Sequence, residues 1–75
     1  MANRVAMARH LAYSLLGAAD CDPEGLSAAE HLALWEADPD NVAEEPAPLG
    51  GWVRYEHVVL SDSERALVLR IIVNG

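Results

Sequence analysis

The stretch Trp52-Val-Arg-Tyr-Glu-His-Val-Val-Leu60, running into Ser61-Asp-Ser-Glu-Arg-Ala-Leu-Val-Leu-Arg-Ile-Ile-Val73, decides the fold class. Its first half alternates as a strand does, with Val53, Tyr55, His57 and Val59 on one face, although a short helix also fits. Ser61 and Glu64 have the spacing of a capping box, in which the serine hydroxyl accepts the N–H three residues on and the glutamate reaches back. A capping box ahead of an apolar run argues for a helix from Asp62 to about Val73, stopped by Asn74-Gly75. Against it stand the β-branched Val68, Ile71, Ile72 and Val73. These suit a hairpin over 52–73 with Ser61 to Glu64 as its turn. The expected fold is mainly α, a small domain of three to four short helices, with an α+β domain carrying a C-terminal hairpin as the alternative. In both, Leu67, Val68, Ile71 and Ile72 belong to the core or an interface.

Upstream, Leu26-Ser27-Ala-Ala-Glu30 repeats the Leu-Ser-x-x-Glu pattern, and Leu32, Leu34 and Trp35 follow. This predicts a helix over 28–37, closed at Asp38-Pro39 because the residue before proline avoids helical geometry. Nearer the start, Val5, Ala8, Leu11, Ala12, Leu15 and Leu16 recur at helical spacing. They predict a helix over 4–16 with Asn3 as N-cap and Gly17 as its stop, and with Arg4, Arg9 and Ser14 toward solvent. Asp20-Cys-Asp-Pro-Glu-Gly25 reads as a connector. Asp38 to Gly51 holds Pro39, Pro46, Pro48, Gly50, Gly51 and four carboxylates. It reads as an acidic loop inside a single domain spanning 1–75, and a loop of that length in a small domain is usually functional or mobile.

A chain of 75 residues builds a small core, rarely contributing more than ~3–5 kcal/mol. Cys21 is the sole cysteine, so no disulfide forms within the chain. Together with His10, His31 and His57 it makes no ligand pair at metal spacing. Yet 52% of the residues are apolar, more than so small an interior holds comfortably, which points to a partner: a second copy or another protein. Lys, Phe, Thr and Gln are absent and every basic residue is Arg, a composition that fits a GC-rich coding sequence.

The net charge is −7, and no Lys or Arg lies between Arg9 and Arg54. That arrangement disfavours direct binding to nucleic acid or an anionic membrane, which needs clustered bases. A basic protein surface suits it. The expected partner-binding residues are Asp20, Asp22, Glu24, Glu36, Asp38, Asp40, Glu44 and Glu45, with Trp35 and Trp52 as aromatic anchors. The plainer alternatives are that the acids keep an apolar chain in solution and that both tryptophans are core.

No run approaches the ~18 apolar residues of a membrane span. Leu11 to Ala19 resembles a short secretory segment ahead of Cys21, but Asp20 stands where cleavage needs a small residue, and His10 and Tyr13 dilute the run. A retained N-terminal helix and a cytoplasmic location are expected. An acyl-carrier reading fails because too few residues follow Asp62-Ser63. Asp20-x-Asp-x-Glu lacks the later ligands of a calcium loop. No serine sits in a nucleophile elbow and no glycine-rich phosphate loop is present. No catalytic residue, cofactor or metal is therefore expected. In size and charge the chain resembles the small acidic proteins with which phages and mobile elements block host machinery, though no motif accompanies that likeness and no residues carry over. The expectation is a non-enzymatic protein-binding module, an inhibitor of a basic, nucleic-acid-binding surface. The alternatives are an assembly subunit that homo-oligomerises through apolar helices and an acidic antitoxin or regulator.

Ser27→Ala is expected to lower stability by ~1 kcal/mol, since the Glu30 amide loses its acceptor. Denaturant unfolding of Ser61→Ala then separates the two C-terminal folds: a similar loss belongs to the helix, no loss to the hairpin.

Overall fold

The computed structural model describes residues 3–75. Three helices, α1 (Arg4–Asp20), α2 (Ala28–Ala37) and α3 (Asp62–Asn74), pack on one another, and a two-stranded antiparallel hairpin, β1 (Val42–Pro46) and β2 (Trp52–Glu56), inserted between α2 and α3 in sequence, packs on α1 through β1. The chain is thus mainly α with a small hairpin. The capping box at Ser61 is complete: Ser61 Oγ accepts the Glu64 N–H at 3.1 Å and Glu64 Oε1 accepts the Ser61 N–H at 2.8 Å. Ser27 and Glu30 form the matching box on α2. The caps outweigh the β-branched tail of α3, because β-propensity depends on a sheet neighbour and 62–74 has none.

The strand foreseen from Trp52 is present, but its partner is Val42–Pro46 and not the C-terminal run. The segment expected as a loop over 38–51 therefore contains β1, and the turn of the hairpin is Ala47 to Gly51 rather than Ser61 to Glu64. Ala47 N–H donates to Gly51 O at 3.0 Å, and Gly50 and Gly51 sit at φ 97° and 79°, where a side chain is strained. β2 stops short of the expected His57–Val59 extension. His57 adopts a left-handed φ of 53° and turns the chain back, its Nδ1 2.8 Å from Pro39 O. Val58, not Val59, then enters the core.

Helix α1 is the hub. It begins at Asn3, whose Oδ1 accepts the Val5 and Ala6 N–H groups at 3.1 and 3.2 Å. It runs past Gly17, the expected stop, because Ala18 and Ala19 extend it and Ala19 packs on the core. A solvent-facing glycine in a helix costs only about 1 kcal/mol. Met7, Ala8, Leu11, Ala12 and Leu15 form one buried stripe, met by Ala28 and Leu32 of α2, Ala43 of β1, Val68 of α3, and Val58 and Leu60 of the intervening turn. Among the described residues no helix is long and apolar enough to cross a membrane.

Asn41, buried ahead of β1, ties the layers together. Its Nδ2 donates to Trp35 O and Val58 O at 3.2 and 3.0 Å, and its Oδ1 accepts the Val58 N–H at 2.6 Å. Asn41→Ala is expected to destabilise the fold by about 3 kcal/mol, because buried backbone groups lose their partners. Urea unfolding measures it.

Candidate interaction surface

The acidic stretch does not form one free face. Asp22 is a structural turn residue: Oδ1 accepts the Glu24 N–H at 2.8 Å, and Oδ2 accepts the Leu26 N–H at 3.2 Å and lies 2.8 Å from His31 Nε2. The Glu24 amide first, then His31 and the Leu26 amide, hold its carboxyl below the ordinary carboxylate range. Glu36 is taken by Arg65, whose Nε lies 3.1 Å from both carboxylate oxygens. Asp38 accepts the Asp40 N–H at 2.9 Å as α2 ends, and Asp40 stands 3.9 Å from His57 Nδ1. The side chains of Asp20, Glu24 and Glu44 are exposed and have no hydrogen-bond or ion-pair partner among the described residues.

Glu45 departs most from its expected role. It is only 4% exposed, points inward from β1, and accepts the Asn3 N–H at 2.8 Å together with the Tyr55 hydroxyl. The Asn3 amide and then the Tyr55 hydroxyl depress its pKa despite burial, while burial and the facing carboxylate raise that of Tyr55. Glu45 thus fastens the start of α1 to the hairpin and is withdrawn from any partner surface. Arg4, expected in solvent, does similar work. Its Nε and Nη2 donate to Glu64 at 2.7 and 2.9 Å, and Nη2 also reaches Val59 O at 2.9 Å.

The tryptophans divide. Trp35 is half-buried against the core and donates its indole N–H to Val42 O at 2.9 Å, so it packs within the fold and ties α2 to β1. Trp52 is 60% exposed and meets the His10 ring edge-on, with centroids 5.1 Å apart.

An apolar groove on the outer side of α2 was not foreseen. Leu26, Glu30, Ala33 and Leu34 line a shallow depression of about 370 Å³, with Leu34 58% exposed. Leu32 and Leu34 lie roughly 200° apart around the helix, so only one of them reaches the core. The run Leu32-Ala-Leu34-Trp35 held that signal, since 100° per residue sets Leu34 off the face that Leu32 and Trp35 share. A second depression of about 190 Å³, at the far end of α1 and α3, is lined by Tyr13, Arg70, Ile71, Asn74 and Gly75. No group of three or more His, Cys, Asp or Glu side chains among the described residues could hold a metal ion. No protein-family model, curated protein or solved structure matches the chain.

Glu64 gives the fold an acid limit. Arg4 foremost, then the Ser61 N–H, hold its pKa down from 4.5 to about 2. A carboxyl whose folded pKa is depressed stabilises the fold fully above its unfolded value, and that contribution is lost as pH falls through the folded value. Stability is therefore expected to decline from about pH 4.5 toward pH 2, with Asp22, Glu30 and Glu45 adding to the slope in the same sense. Thermal unfolding of Glu64→Gln across that range should show a shallower acid limb than wild type.

Proposed function

We propose that this protein is a non-enzymatic interaction module that docks on a basic protein surface in the cytoplasm, as a small acidic inhibitor does. The observation that carries this reading is the α2 groove. It is an exposed apolar depression centred on Leu34, within a stretch from Arg9 to Arg54 that contains no Lys or Arg. Glu30 lines it, and Glu24, exposed and without a side-chain partner among the described residues, lies two residues before Leu26 in the chain. An apolar centre with an acidic border complements a protein that presents an apolar side chain among arginines or lysines. Such a border chiefly raises the association rate, while the apolar centre slows dissociation.

The working residues under this reading are Leu26, Ala33 and Leu34 for contact, and Asp20, Glu24 and Glu30 for attraction. Asp38 and Asp40 are exposed at the opposite end of α2 and contribute to the wider field. Asp22, Glu36 and Glu45 serve the fold. Charge reversal that includes Glu45 therefore cannot test binding, since unfolding would give the same loss.

The test uses the partner recovered from the native cell by the wild-type chain. Asp20→Lys with Glu24→Lys should slow association about tenfold at physiological salt and flatten its salt dependence. Leu34→Ser should leave the association rate near wild type and speed dissociation about tenfold. Circular dichroism checks that both variants fold. Unchanged rates in both variants would remove this face from recognition, and the acids would revert to keeping the chain in solution.

A further inference from the structure

The hairpin leaves one edge open. Residues that face each other in an antiparallel ladder alternate between pairs that exchange hydrogen bonds and pairs whose N–H and C=O groups point outward. His57 N–H donates to Asn41 O and Ala47 N–H to Gly51 O, both at 3.0 Å, so 41/57 and 47/51 are bonded pairs. Counting inward by twos along the observed register, the outward-pointing residues are Val42, Glu44 and Pro46 on β1 and Trp52, Arg54 and Glu56 on β2. The outward Val42 carbonyl agrees with this parity, since the Trp35 indole caps it.

The two edges differ. β1 lies against α1 and receives Trp35, and its Pro46 has no N–H to offer. The β2 backbone has β1 as its sole neighbouring element, the Trp52 ring alone reaching His10 of α1, and after Glu56 the chain folds back toward Pro39 and Asn41, away from the β2 edge. By this parity the backbone N–H and C=O groups of Trp52, Arg54 and Glu56 point away from β1, no turn or loop hydrogen bond reaches them among the described residues, and their side chains are exposed.

We propose that this edge pairs with the same edge of a second copy, extending the hairpin to a four-stranded antiparallel sheet. Charge selects both the occupant and the register. Arg54 and Glu56 are exposed neighbours on one face, 3.6 Å apart. With the two-fold axis at Tyr55, Arg54 faces Glu56 of the second copy and Glu56 faces its Arg54. Both pairs also exchange backbone hydrogen bonds, because all four residues belong to the outward set. Moving the axis to Arg54 would set arginine against arginine. The same charges disfavour a strand that would set an arginine or lysine opposite Arg54 or a carboxylate opposite Glu56. Each copy carries a charge of −7, which opposes association beyond the ~8 Å over which physiological salt screens it. The pairing acts at contact distance and over a short strand, so association is weak and concentration-dependent.

Sedimentation equilibrium of the full chain at physiological salt, from micromolar to millimolar protein, tests this. Wild type should rise from 8.1 kDa toward twice that mass. Arg54→Glu alone and Glu56→Arg alone should each weaken association about tenfold or more. An equimolar mixture of the two variants should associate again, since every facing pair is then of opposite sign. Circular dichroism keeps unfolding from imitating dissociation. A mass fixed at 8.1 kDa throughout for wild type overturns the proposal. So do single reversals that associate like wild type, or a mixture that fails to re-associate. None of these outcomes bears on the α2 groove, which lies on another element.

Discussion

Helix α1 buries Met7, Ala8, Leu11, Ala12 and Leu15 against α2, β1 and α3, and no other element of the fold touches all three. A chain this short has interior for one such helix, so α2, β1 and α3 are placed by how they meet α1, and β2 by its pairing with β1. The alanines on the stripe leave room for neighbours to approach, and Met7 and Val68, both fully buried, fill the middle. The hairpin cannot stand alone, since an isolated two-stranded ribbon is marginal in water. It is held through Ala43 in the core, Glu45 on the Asn3 amide, and Asn41 between Trp35 and Val58.

Electrostatics in this protein serve the fold before they serve recognition. Arg4 and Arg65 each reach a carboxylate on a distant element, Glu64 and Glu36, and so tie α1 and α2 to α3. Exposed ion pairs contribute little singly. The Arg4–Glu64 contact has more in its favour: the carboxylate is largely covered, the geometry is bidentate, and the same glutamate completes the cap of α3. The acids left over, Asp20, Glu24 and Glu44, are fewer than the net charge suggests.

Two of the exposed surfaces, the α2 groove and the β2 edge, differ in kind. The α2 groove is apolar with Glu30 in its lining, and under the proposed function it takes a partner of opposite charge. The β2 edge offers unpaired backbone groups under a locally balanced pair of charges, so it suits a strand of matching sequence, and the chain itself supplies one. The first is a matter of side-chain complementarity, the second of backbone satisfaction. They lie on different elements and can operate together.

Local chemistry was legible in the sequence wherever it was self-sufficient. The caps at Asn3, Ser27 and Ser61, the span of α2, the start of α1, the helix after Ser61 and the strand from Trp52 follow from contacts between residues a few positions apart. β1 did not, because Val42-Ala-Glu-Glu-Pro46 carries a glutamate at an inward position and a proline at its end, both poor for a strand by local preference. Only the fold supplies what makes it tolerable: the Asn3 amide and Tyr55 hydroxyl that satisfy Glu45, and a register in which Pro46 needs no N–H. The same holds for the candidate surface. Composition announces an acidic protein with apolar residues to spare. Which acids are occupied, which leucine of α2 faces water and which strand edge is left open are settled by partners far along the chain, and no local spacing encodes them.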